Sequence, residues 1–468
     1  MAQPIAVVTA VNRFGLGARP GELGDAASDP HGWLLSQLSA GAEVLPDALP
    51  NSLDYLRQEG TVRDLRKMAK DSNGDMMAQQ AAKDAEKDLR QRIRQEIALR
   101  QQVAVVTARS FPERIVRFWS NHFAISTDKN IAASFAAPME REAIRPHAFG
   151  KFSDLLMAIE THPGMLLYLD NTQSIGVDSK AGMRARNAPN PKAARRGLNE
   201  NLAREILELH TLGVNGGYAQ GDVIELAKAI TGWSLQRPQD SSDTGSPFRF
   251  NANTHEPGDR RVLGKRYREE GEAQGRAILA DLALHPATAQ HLSFKLARHF
   301  VADQPPPQLV AAMAKAYLAS GGDLSTLYST MVKHPLAWAP TARKFKTPQD
   351  FLVSSMRALT LDGQKDAART LDLQARMGHP VFQPRSPAGF ADTAADWSGP
   401  DALFKRVQAA QTLADAAPQT ASNDPVQMAT RALGDGMDAE TLLAVRRAES
   451  PRQGVALLLA SPSFQWRA

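Results

Sequence analysis

Residues 199–213 read Asn-Glu-Asn-Leu-Ala-Arg-Glu-Ile-Leu-Glu-Leu-His-Thr-Leu-Gly, a pattern that predicts one amphipathic helix. Asn199 is a suitable N-cap, and Gly213 can take the left-handed conformation that ends a helix. Glu205 falls at the edge of the apolar stripe, where a carboxylate is half buried, so we expect its pKa to be shifted. A plain surface helix with ion pairs between side chains four residues apart explains the same stretch without any chemistry.

The composition is that of a globular chain. Its 468 residues are 43% hydrophobic, which is enough for a large core. The 55 Lys and Arg residues exceed the 50 Asp and Glu residues by only five, so the charge gives no reason to expect nucleic acid as a partner. The chain has no Cys, which excludes thiolate zinc sites, iron–sulfur clusters, cysteine nucleophiles and disulfides.

The N-terminus and the hydropathy bear on localisation. Residues 4–11 are mostly apolar, but no Lys or Arg precedes them, so the charged start of a signal peptide is missing. No apolar run reaches the roughly 18 residues of a membrane-spanning helix. We therefore expect a soluble, cytoplasmic protein without a membrane span, although a chain without Cys also suits the periplasm.

Helix signals recur along the whole chain and predict an all-α fold, a multi-helix bundle in a single domain over residues 1–468. Four apolar helices end in His-Pro or Ser-Pro, at His162, His285, His334 and Ser461. Because Pro cannot continue a helix but starts the next one well, these are predicted helix–corner–helix joints. Their histidines are expected to cap the carbonyl groups at the ends of the preceding helices.

The only strands that we expect form one small hairpin near residues 248–264. Phe248–Phe250 would pair with residues 261–264, and His255 would lie at the tip, on a loop of the kind where functional residues collect. Further along, residues 377–390 are rich in Pro and Gly and are expected to cross between helices.

His122 is a candidate site residue on a second helix. Ser110 and Glu113 form a predicted capping box that opens this helix. His122 follows Phe118 by four residues and Trp119 by three, so it lies on the apolar face. It is either a core histidine bonded to a carbonyl group or an active-site imidazole at the floor of a pocket.

Residues 171–198 form a basic segment before the central helix. No acidic residue occurs between Ser179 and Asn199, whereas six basic ones do: Lys180, Arg184, Arg186, Lys192, Arg195 and Arg196. We expect a mobile loop, either a lid that recruits an anionic substrate or simply a solvated loop. Nucleic-acid binding would need interleaved aromatic residues, and this segment has none.

Several of these stretches together resemble a known family. They read Arg-Phe-Trp-Ser-Asn-His-Phe at 117–123, Met-Leu-Leu-Tyr-Leu-Asp at 165–170, the central helix at 199–214, Ile-Thr-Gly-Trp at 230–233, Met-Gly-His-Pro at 377–380 and Leu-Leu-Leu-Ala-Ser-Pro-Ser-Phe at 457–464. In this order they resemble the bacterial domain-of-unknown-function family numbered 1800, from about Asn12 to the end of the chain. The resemblance implies no particular reaction, because the family is named for want of one.

The resemblance also implies one shared polar site. The residues that match the family's recognisable polar positions are His122, Asp170, Glu200, Asn201, Arg204, Glu205, Glu208 and His255. Among them the candidate catalytic groups are His122, Asp170, Glu205 and Glu208, and the candidate substrate-binding groups are Asn201, Arg204 and His255, joined by Arg195 and Arg196 of the basic segment.

A partner protein is implied as well. Relatives stand beside a second uncharacterised, exported family that resembles sulfatases, which implies a partner or a common pathway outside the cytoplasm. This chain departs from that picture because it lacks an export signal. It also has His210 where an aromatic residue is frequent, which argues against a catalytic role for His210.

Two classes of function remain open. In the first, an enzyme has its pocket between the helices of His122 and Glu205, where imidazole and carboxylate suit acid–base chemistry on a polar or anionic ligand, or a hard divalent ion. The metal version is the weaker one, because the chain has no His-Glu-x-x-His and Glu205-x-x-Glu208 lacks the His of di-iron bundles, so no metal or cofactor is assigned.

In the second class, the protein is a helical binding or assembly module, and the polar cluster is a buried network that fixes how the helices pack. In either class we predict that His122 and Glu205 share one pocket, with Arg204 or Asp170 nearby.

Overall fold

A computed structural model describes residues 4–46, 49–71, 75–187, 197–236, 246–418 and 423–467. Helices dominate these ranges, and their strands form three two-stranded pairs. The predicted all-α fold is therefore confirmed. Within the same ranges, no helix is both long enough and apolar enough to cross a membrane.

The first half of the chain alternates long and very short helices. The longer ones are Pro30–Ala40, Ser52–Asp71, Met76–Val106, Ser110–His122, Phe152–Glu160, Pro163–Tyr168, Lys180–Arg186 and Gln220–Ala229. The short ones are Ile5–Val8, Glu22–Asp25, Asn130–Ala133, Ala136–Met139, Arg145–His147, Asn201–Glu205 and the 3₁₀ turn Asn171–Gln173. Three stretches have the wider π-helical form, Thr9–Phe14, Glu140–Ile144 and Ile206–Thr211.

The second half is built from helices of more even length. They are Glu272–Ala283, Pro286–Phe300, Pro307–Ala319, Leu324–Lys333, Pro348–Leu359, Ala367–Arg376, Pro400–Ala416, Pro425–Leu433, Ala439–Arg446 and Pro451–Ala460. Shorter pieces are Ala394–Trp397, Pro462–Gln465 and the 3₁₀ turns Pro335–Trp338 and Gly434–Gly436.

The predicted hairpin is wrong in its pairing. Phe248–Phe250 pairs with Trp233–Leu235, whereas Arg260–Val262 pairs with Lys265–Tyr267 around a tight two-residue turn whose Gly264 has a φ of +78°. Such a turn pairs the two strands on either side of it with each other. Arg260–Val262 and Lys265–Tyr267 therefore do not pair with Phe248–Phe250. His255 consequently lies between the two hairpins and is buried, not at a tip.

The central helix is confirmed, but it is not regular. The Asn199 side chain accepts a hydrogen bond from the Asn201 amide at 2.8 Å, and Gly213 ends the helix with a φ of +86°. From Ile206 onward the backbone is π-helical, and the Thr211 hydroxyl donates to the Ile206 carbonyl at 2.6 Å. Such insertions in α-helices frequently occur at functional sites.

The four His-Pro and Ser-Pro joints are helix corners, as predicted. Their histidines, however, cap the start of the following helix and not the end of the preceding one. His162, His285 and His334 each accept a hydrogen bond through Nδ1 from the first turn of the following helix, at 3.1, 3.1 and 3.3 Å. A neutral imidazole nitrogen is an acceptor, and the amides at a helix start need acceptors. The expectation that these histidines cap carbonyl groups was therefore wrong.

The buried apolar side chains fall into two large clusters. The larger includes the inner faces of Ser110–His122, Phe152–Glu160, Pro286–Phe300 and Leu324–Lys333. The smaller lies among Pro348–Leu359, Pro400–Ala416, Pro425–Leu433 and Pro451–Ala460. The antiparallel pair of Lys344–Phe345 with Trp466–Arg467 joins the segment just before Pro348–Leu359 to the segment after Pro451–Ala460. That the whole chain is one domain stays a prediction, and the space between the clusters contains the site described next.

Candidate functional site

A polar cavity of about 60 Å³ lies between the two apolar clusters. This first cavity is lined by charged and polar side chains from five separate parts of the chain, chiefly Arg100, Arg114, Arg117, His299, Gln349, Asp350, Gln374, His379 and Asp392, with Phe382 and Phe390 beside them. A space of this size holds several water molecules or a small ion. Concave sites between packing units are the usual places for ligands.

The helix Ser110–His122 is buried on nearly all sides, and it contributes two arginines to the first cavity. The Arg114 guanidinium donates to the Gly15 carbonyl and, at 3.1 Å, to the Asp350 carboxylate. Arg467 lies 3.7 Å from the other oxygen of Asp350. Burial alone would raise the pKa of Asp350, but Arg114 and Arg467 hold it far below its usual range, so this carboxyl group is charged.

Arg117 belongs to a buried network with an excess of positive charge. Arg100 binds Glu140 at 2.6 Å, and Arg145 binds Glu113 at 2.7 and 2.9 Å and Glu140 at 3.1 Å. Two carboxylates therefore serve three guanidinium groups. Arg117 is the one left over, since its nearest carboxylate oxygen, on Glu113, is 3.6 Å away.

The Arg117 guanidinium is consequently short of acceptors. One of its nitrogens donates to the Arg100 carbonyl at 3.1 Å, whereas Nε and Nη1 have no hydrogen-bond partner among the described residues. Burial and the neighbouring Arg100 lower the pKa of Arg117 to about 9, which still leaves it charged at neutral pH. A buried cation with free donors is costly unless something else binds it.

This network also corrects the predicted capping box. Glu113 does not turn back to the helix start, because both of its oxygens bind Arg145. The Ser110 hydroxyl donates instead to Glu22 at 3.1 Å. Ion pairing with a buried arginine is stronger than a cap, so the tertiary partner determines where the carboxylate points.

The opposite wall comes from the Pro- and Gly-rich crossing segment. His379 lies against the Phe390 ring, with a centroid distance of 3.9 Å, and its Nδ1 accepts from the Gln349 amide at 3.3 Å. Burial lowers the pKa of His379 to about 3, so its imidazole is neutral. Asn121 clamps the segment, since its amide exchanges two hydrogen bonds, of 2.8 and 2.9 Å, with the Phe390 backbone.

Gly389 is required for that clamp. It has a φ of +80°, and a Cβ atom there would lie 2.3 Å from the Asn121 carbonyl oxygen. Any other residue would push the crossing segment away from the helix Ser110–His122. The wall of the first cavity therefore depends on this glycine.

A second cavity, of about 190 Å³, adjoins the first. The two cavities share Asn121, His299, Phe390, Ala391 and Asp392, and the second is completed by Phe118, His122, Lys295, Arg298 and Ala388. The partition includes a hydrogen-bonded imidazole, because the Asp392 carboxylate lies 2.8 Å from His299 Nδ1, and burial lowers the pKa of His299. His299 Nε2 has no partner among the described residues.

One helix face supplies two ionisable groups of the second cavity, Lys295 and His299, whereas His291 on the same face is not part of its lining. His291, Lys295 and His299 follow each other at four-residue spacing on Pro286–Phe300, which places them in a row on one face. Burial, with Lys295 adding to it, lowers the pKa of His291 to about 4. Burial likewise lowers the pKa of Lys295 to about 8, and Lys295 makes no ion pair or hydrogen bond with any described residue.

His122 lies at the second cavity. It is 1% exposed, and its Nε2 lies 3.2 Å from the His210 carbonyl oxygen. Burial lowers the pKa of His122 well below its usual value, and Lys295, His291 and His210 act in the same direction. His122 is therefore a core histidine bonded to a carbonyl group that also faces a cavity, and its role as an active-site imidazole stays a prediction.

Glu205 lies elsewhere, on the outer side of the central helix. Burial raises its pKa, Glu208 adds to the shift, and His210 and Arg204 oppose it. Glu208 accepts a hydrogen bond from the Tyr218 hydroxyl at 3.1 Å. No hydrogen bond, ion pair or ring contact joins the Glu205 side chain to that of His122, although both residues are described. Their common pocket stays a prediction.

The residue between them is His210. Its Nδ1 lies 2.7 Å from the Glu160 carboxylate, and both side chains are fully buried. His210 Nε2 and the second Glu160 oxygen have no partner among the described residues. His210 thus links the central helix to Phe152–Glu160 through its side chain and to His122 through its backbone.

Most of the remaining predicted site residues are partly or fully exposed, whereas His255 is buried. Asp170 binds Lys129 at 2.7 Å, and Arg204 binds Glu200 at 3.1 Å, while Asn201 is exposed. His255 is buried against Phe250, and its nitrogens lie near the Thr231 carbonyl, at 2.9 Å, and Glu269, at 3.2 Å. These contacts hold loops and helix ends in place, and they do not bring the residues together.

The basic segment is described only in part. Lys180–Arg186 is a short helix capped by Ser179, so the expected loop is helical there. Residues 188–196 lie outside the described residues, and Arg195 and Arg196 with them. The described residues also contain no group of three or more His, Cys, Asp or Glu side chains arranged to hold a metal ion.

The comparison with known families agrees with the motifs. The family model described as "Protein of unknown function (DUF1800)" matches residues 9–466. The chain belongs to this DUF1800 family. No curated protein and no solved structure matches it.

In this DUF1800 protein, two of the quoted motifs meet at the first cavity. Arg117 and Asn121 come from the motif at 117–123, and His379 comes from Met-Gly-His-Pro at 377–380. The sequence prediction selected His122 from the first motif and passed over the others. The signal was present, since a helix buried all round that still carries Arg114 and Arg117 needs internal partners for them.

Proposed function

We propose that this protein binds a small anionic ligand in the first cavity, between the two apolar clusters. The observation that carries the proposal is the buried Arg117 guanidinium, which lies beside Arg100 and Arg114 and has two nitrogens without a hydrogen-bond partner in the part of the chain that the structure describes. Guanidinium groups are well suited to phosphate, sulfate and carboxylate groups, because their donors match pairs of oxygens.

The charges around both cavities favour the same conclusion. Positive groups outnumber negative ones: Arg100, Arg114, Arg117, Arg145, Lys295, Arg298, Lys344 and Arg467 face Glu113, Glu140, Asp303, Asp350 and Asp392. In a medium of low dielectric constant such an excess attracts an anion strongly. An anion bound there would restore the balance.

The Asp392–His299 pair adds a group that can accept a proton from a substrate. A carboxylate that accepts from Nδ1–H leaves Nε2 as a proton acceptor, and this nitrogen has no other partner among the described residues. We therefore favour acid–base chemistry on an anionic substrate over an assembly module. The partner protein implied by the family resemblance stays a prediction.

Binding is tested with phosphate, sulfate and acetate at constant ionic strength, by calorimetry and by the shift of the melting temperature. We expect at least one anion to bind the native protein and to raise its melting temperature, because a ligand that binds only the folded state stabilises it. Arg117→Met should weaken that binding at least about tenfold, the effect of about 1.4 kcal/mol.

The matched control is Arg266→Gln. Arg266 is 70% exposed and pairs with Asp259 on the hairpin Arg260–Tyr267, which contributes nothing to either cavity. This variant should bind the anion as the native protein does. Equal weakening in both variants would mean general attraction to a basic protein, and an anion effect that survives Arg117→Met would disprove the proposed site.

A further inference from the structure

The second cavity contains an amine without a partner. Lys295 lies on the inner face of Pro286–Phe300 and lines the cavity of about 190 Å³, yet it makes no ion pair or hydrogen bond with any described residue. Lys295 is half-buried, and a lysine in such a place normally acquires a carboxylate, because its charge is costly away from water without one. A free lysine at a cavity is instead the arrangement found where the amine acts as a nucleophile.

The nearest carboxylate is already occupied. Asp392 binds His299 Nδ1 at 2.8 Å, and Lys344 lies 3.6 Å from its other oxygen while donating to its backbone carbonyl. Lys295 therefore has a carboxylate in its surroundings without an ion pair to it. Burial lowers the pKa of Lys295 to about 8, which leaves on the order of a tenth of the amine uncharged at pH 7.

The same cavity offers a proton acceptor and an anion-binding group. His299 is four residues after Lys295 on the same helix face, and its Nε2 has no partner among the described residues. Arg298 also lines the cavity, and its only hydrogen bond within the described residues runs from Nε to the Asp303 carbonyl, at 3.1 Å. Its two terminal nitrogens are therefore free to bind a carboxylate.

We propose that Lys295 forms an imine with a small carbonyl compound that carries a carboxylate, a 2-oxo acid being the simplest case. The Lys295 ammonium group transfers a proton to His299 Nε2, and the free amine attacks the carbonyl carbon. The new C–N bond forms as the C=O π electrons move to the oxygen, which takes up the proton from His299. The carbinolamine nitrogen then gives up a proton, which His299 passes to the hydroxyl group, and loss of that group as water leaves the protonated imine. The balance is one ammonium and one carbonyl compound giving one iminium and one water.

The size of the cavity agrees with that substrate class. At about 30 Å³ for each water molecule of the liquid, 190 Å³ has room for a compound of a few heavy atoms. The carboxylate would bind Arg298 and the carbonyl carbon would lie at Lys295. This proposal does not require an anion in the first cavity, so it and the proposed function can fail separately.

The test is reductive trapping in the full-length protein. The protein is incubated at pH 7 with pyruvate or glyoxylate and sodium cyanoborohydride, and the labelled lysines are found by digestion and mass spectrometry. We expect Lys295 to be labelled at least about tenfold faster than the exposed Lys333, because burial lowers the pKa of Lys295 and the cavity would hold the carbonyl compound beside its amine. Lys333 serves as the internal control in every sample.

Two variants separate the parts of the mechanism. Lys295→Arg keeps the charge and should abolish the adduct at this position. His299→Gln should slow labelling of Lys295 and leave that of Lys333 unchanged. Labelling of Lys295 at the rate of Lys333 or below, in the folded native protein, overturns the proposal, and this comparison does not depend on whether either variant folds.

Discussion

Two buried arginines of this protein have opposite surroundings. Every nitrogen of Arg357 is bonded: Nε to the Gly17 carbonyl at 2.7 Å, Nη1 to the carbonyls of residues 104, 105 and 107, and Nη2 to both oxygens of Glu22, at 2.9 and 2.7 Å. Arg117 has one bonded nitrogen and two that have no hydrogen-bond partner within the described ranges. Both arginines are therefore buried. They differ in how many of their N–H donors have a hydrogen-bond partner. We infer that Arg357 has a structural role and that Arg117 binds a ligand.

The largest loss of stability should come from replacing Arg357, the arginine whose nitrogens are all hydrogen-bonded. Arg357→Met would leave the Glu22 carboxylate, which is 2% exposed, with the more distant Arg19, 3.8 Å away, in place of its bidentate partner. Removing one partner of a buried pair costs about 3–5 kcal/mol, so we expect the free energy of unfolding in urea to fall by that amount. Anion binding by the protein that remains folded should be unchanged. A loss below about 1 kcal/mol would show that the two arginines do not differ as described.

The second effect is on the pH dependence of stability, which should differ between the surroundings of Arg357 and the first cavity. The partners of Arg357 include no histidine, whereas the first cavity contains His379, whose pKa burial lowers to about 3. Folding thus favours the neutral imidazole, so its contribution is complete above about pH 6.5 and declines as the pH falls from there toward 3. At pH 5 the loss from this one residue is about 2 kcal/mol.

His379→Gln measures that share. Unfolding in urea at pH 7.5 and at pH 5 should show a smaller difference in the variant than in the native protein, by about 2 kcal/mol. His122, His291 and His299, whose pKa values are also lowered, should maintain the rest of the pH dependence. An unaltered difference would mean that His379 is protonated without cost in the folded state.

The sequence predicted the helices well because their signals are local. Caps, Pro at helix starts and apolar residues every three or four positions all act within one element, as the central helix with Asn199 and Gly213 shows. Strand pairing was predicted less well. The partner of Phe248–Phe250 was the more distant Trp233–Leu235, and no local feature distinguishes it from the alternative.

The cavities were missed for the same reason. Arg100, Arg117, Asp350 and His379 meet from parts of the chain up to several hundred residues apart, and their shared environment exists only after folding. One signal was nevertheless local. The row His291, Lys295, His299 at four-residue spacing puts three ionisable groups on one helix face, and a helix between two apolar neighbours buries such a face only for a reason.

The third effect tests the unsaturated arginine. Arg117→Met removes the surplus cation from a network in which two carboxylates serve three guanidinium groups, so Arg100 and Arg145 keep their partners. Replacing an uncompensated buried charge by an apolar group is often neutral or stabilising. In the absence of anions we expect the free energy of unfolding to change by less than about 1 kcal/mol. A loss comparable to that of Arg357→Met would make Arg117 a structural residue too.

The smallest effect concerns Glu205 and His122, the pair that the sequence placed in one pocket. Burial raises the pKa of Glu205, so its charged form is a slight liability and Glu205→Gln should alter the free energy of unfolding at pH 7 by less than about 0.5 kcal/mol. Among the described residues, the two are connected through His210, whose carbonyl contacts the His122 ring and whose side chain lowers the pKa of Glu205. Coupling through one intermediate is weaker than direct contact. The double variant with His122→Ala should therefore deviate from the sum of the two single changes by about 0.5 kcal/mol. A deviation above about 1.5 kcal/mol would mean that the two side chains do meet, and that the central helix contributes to the site after all.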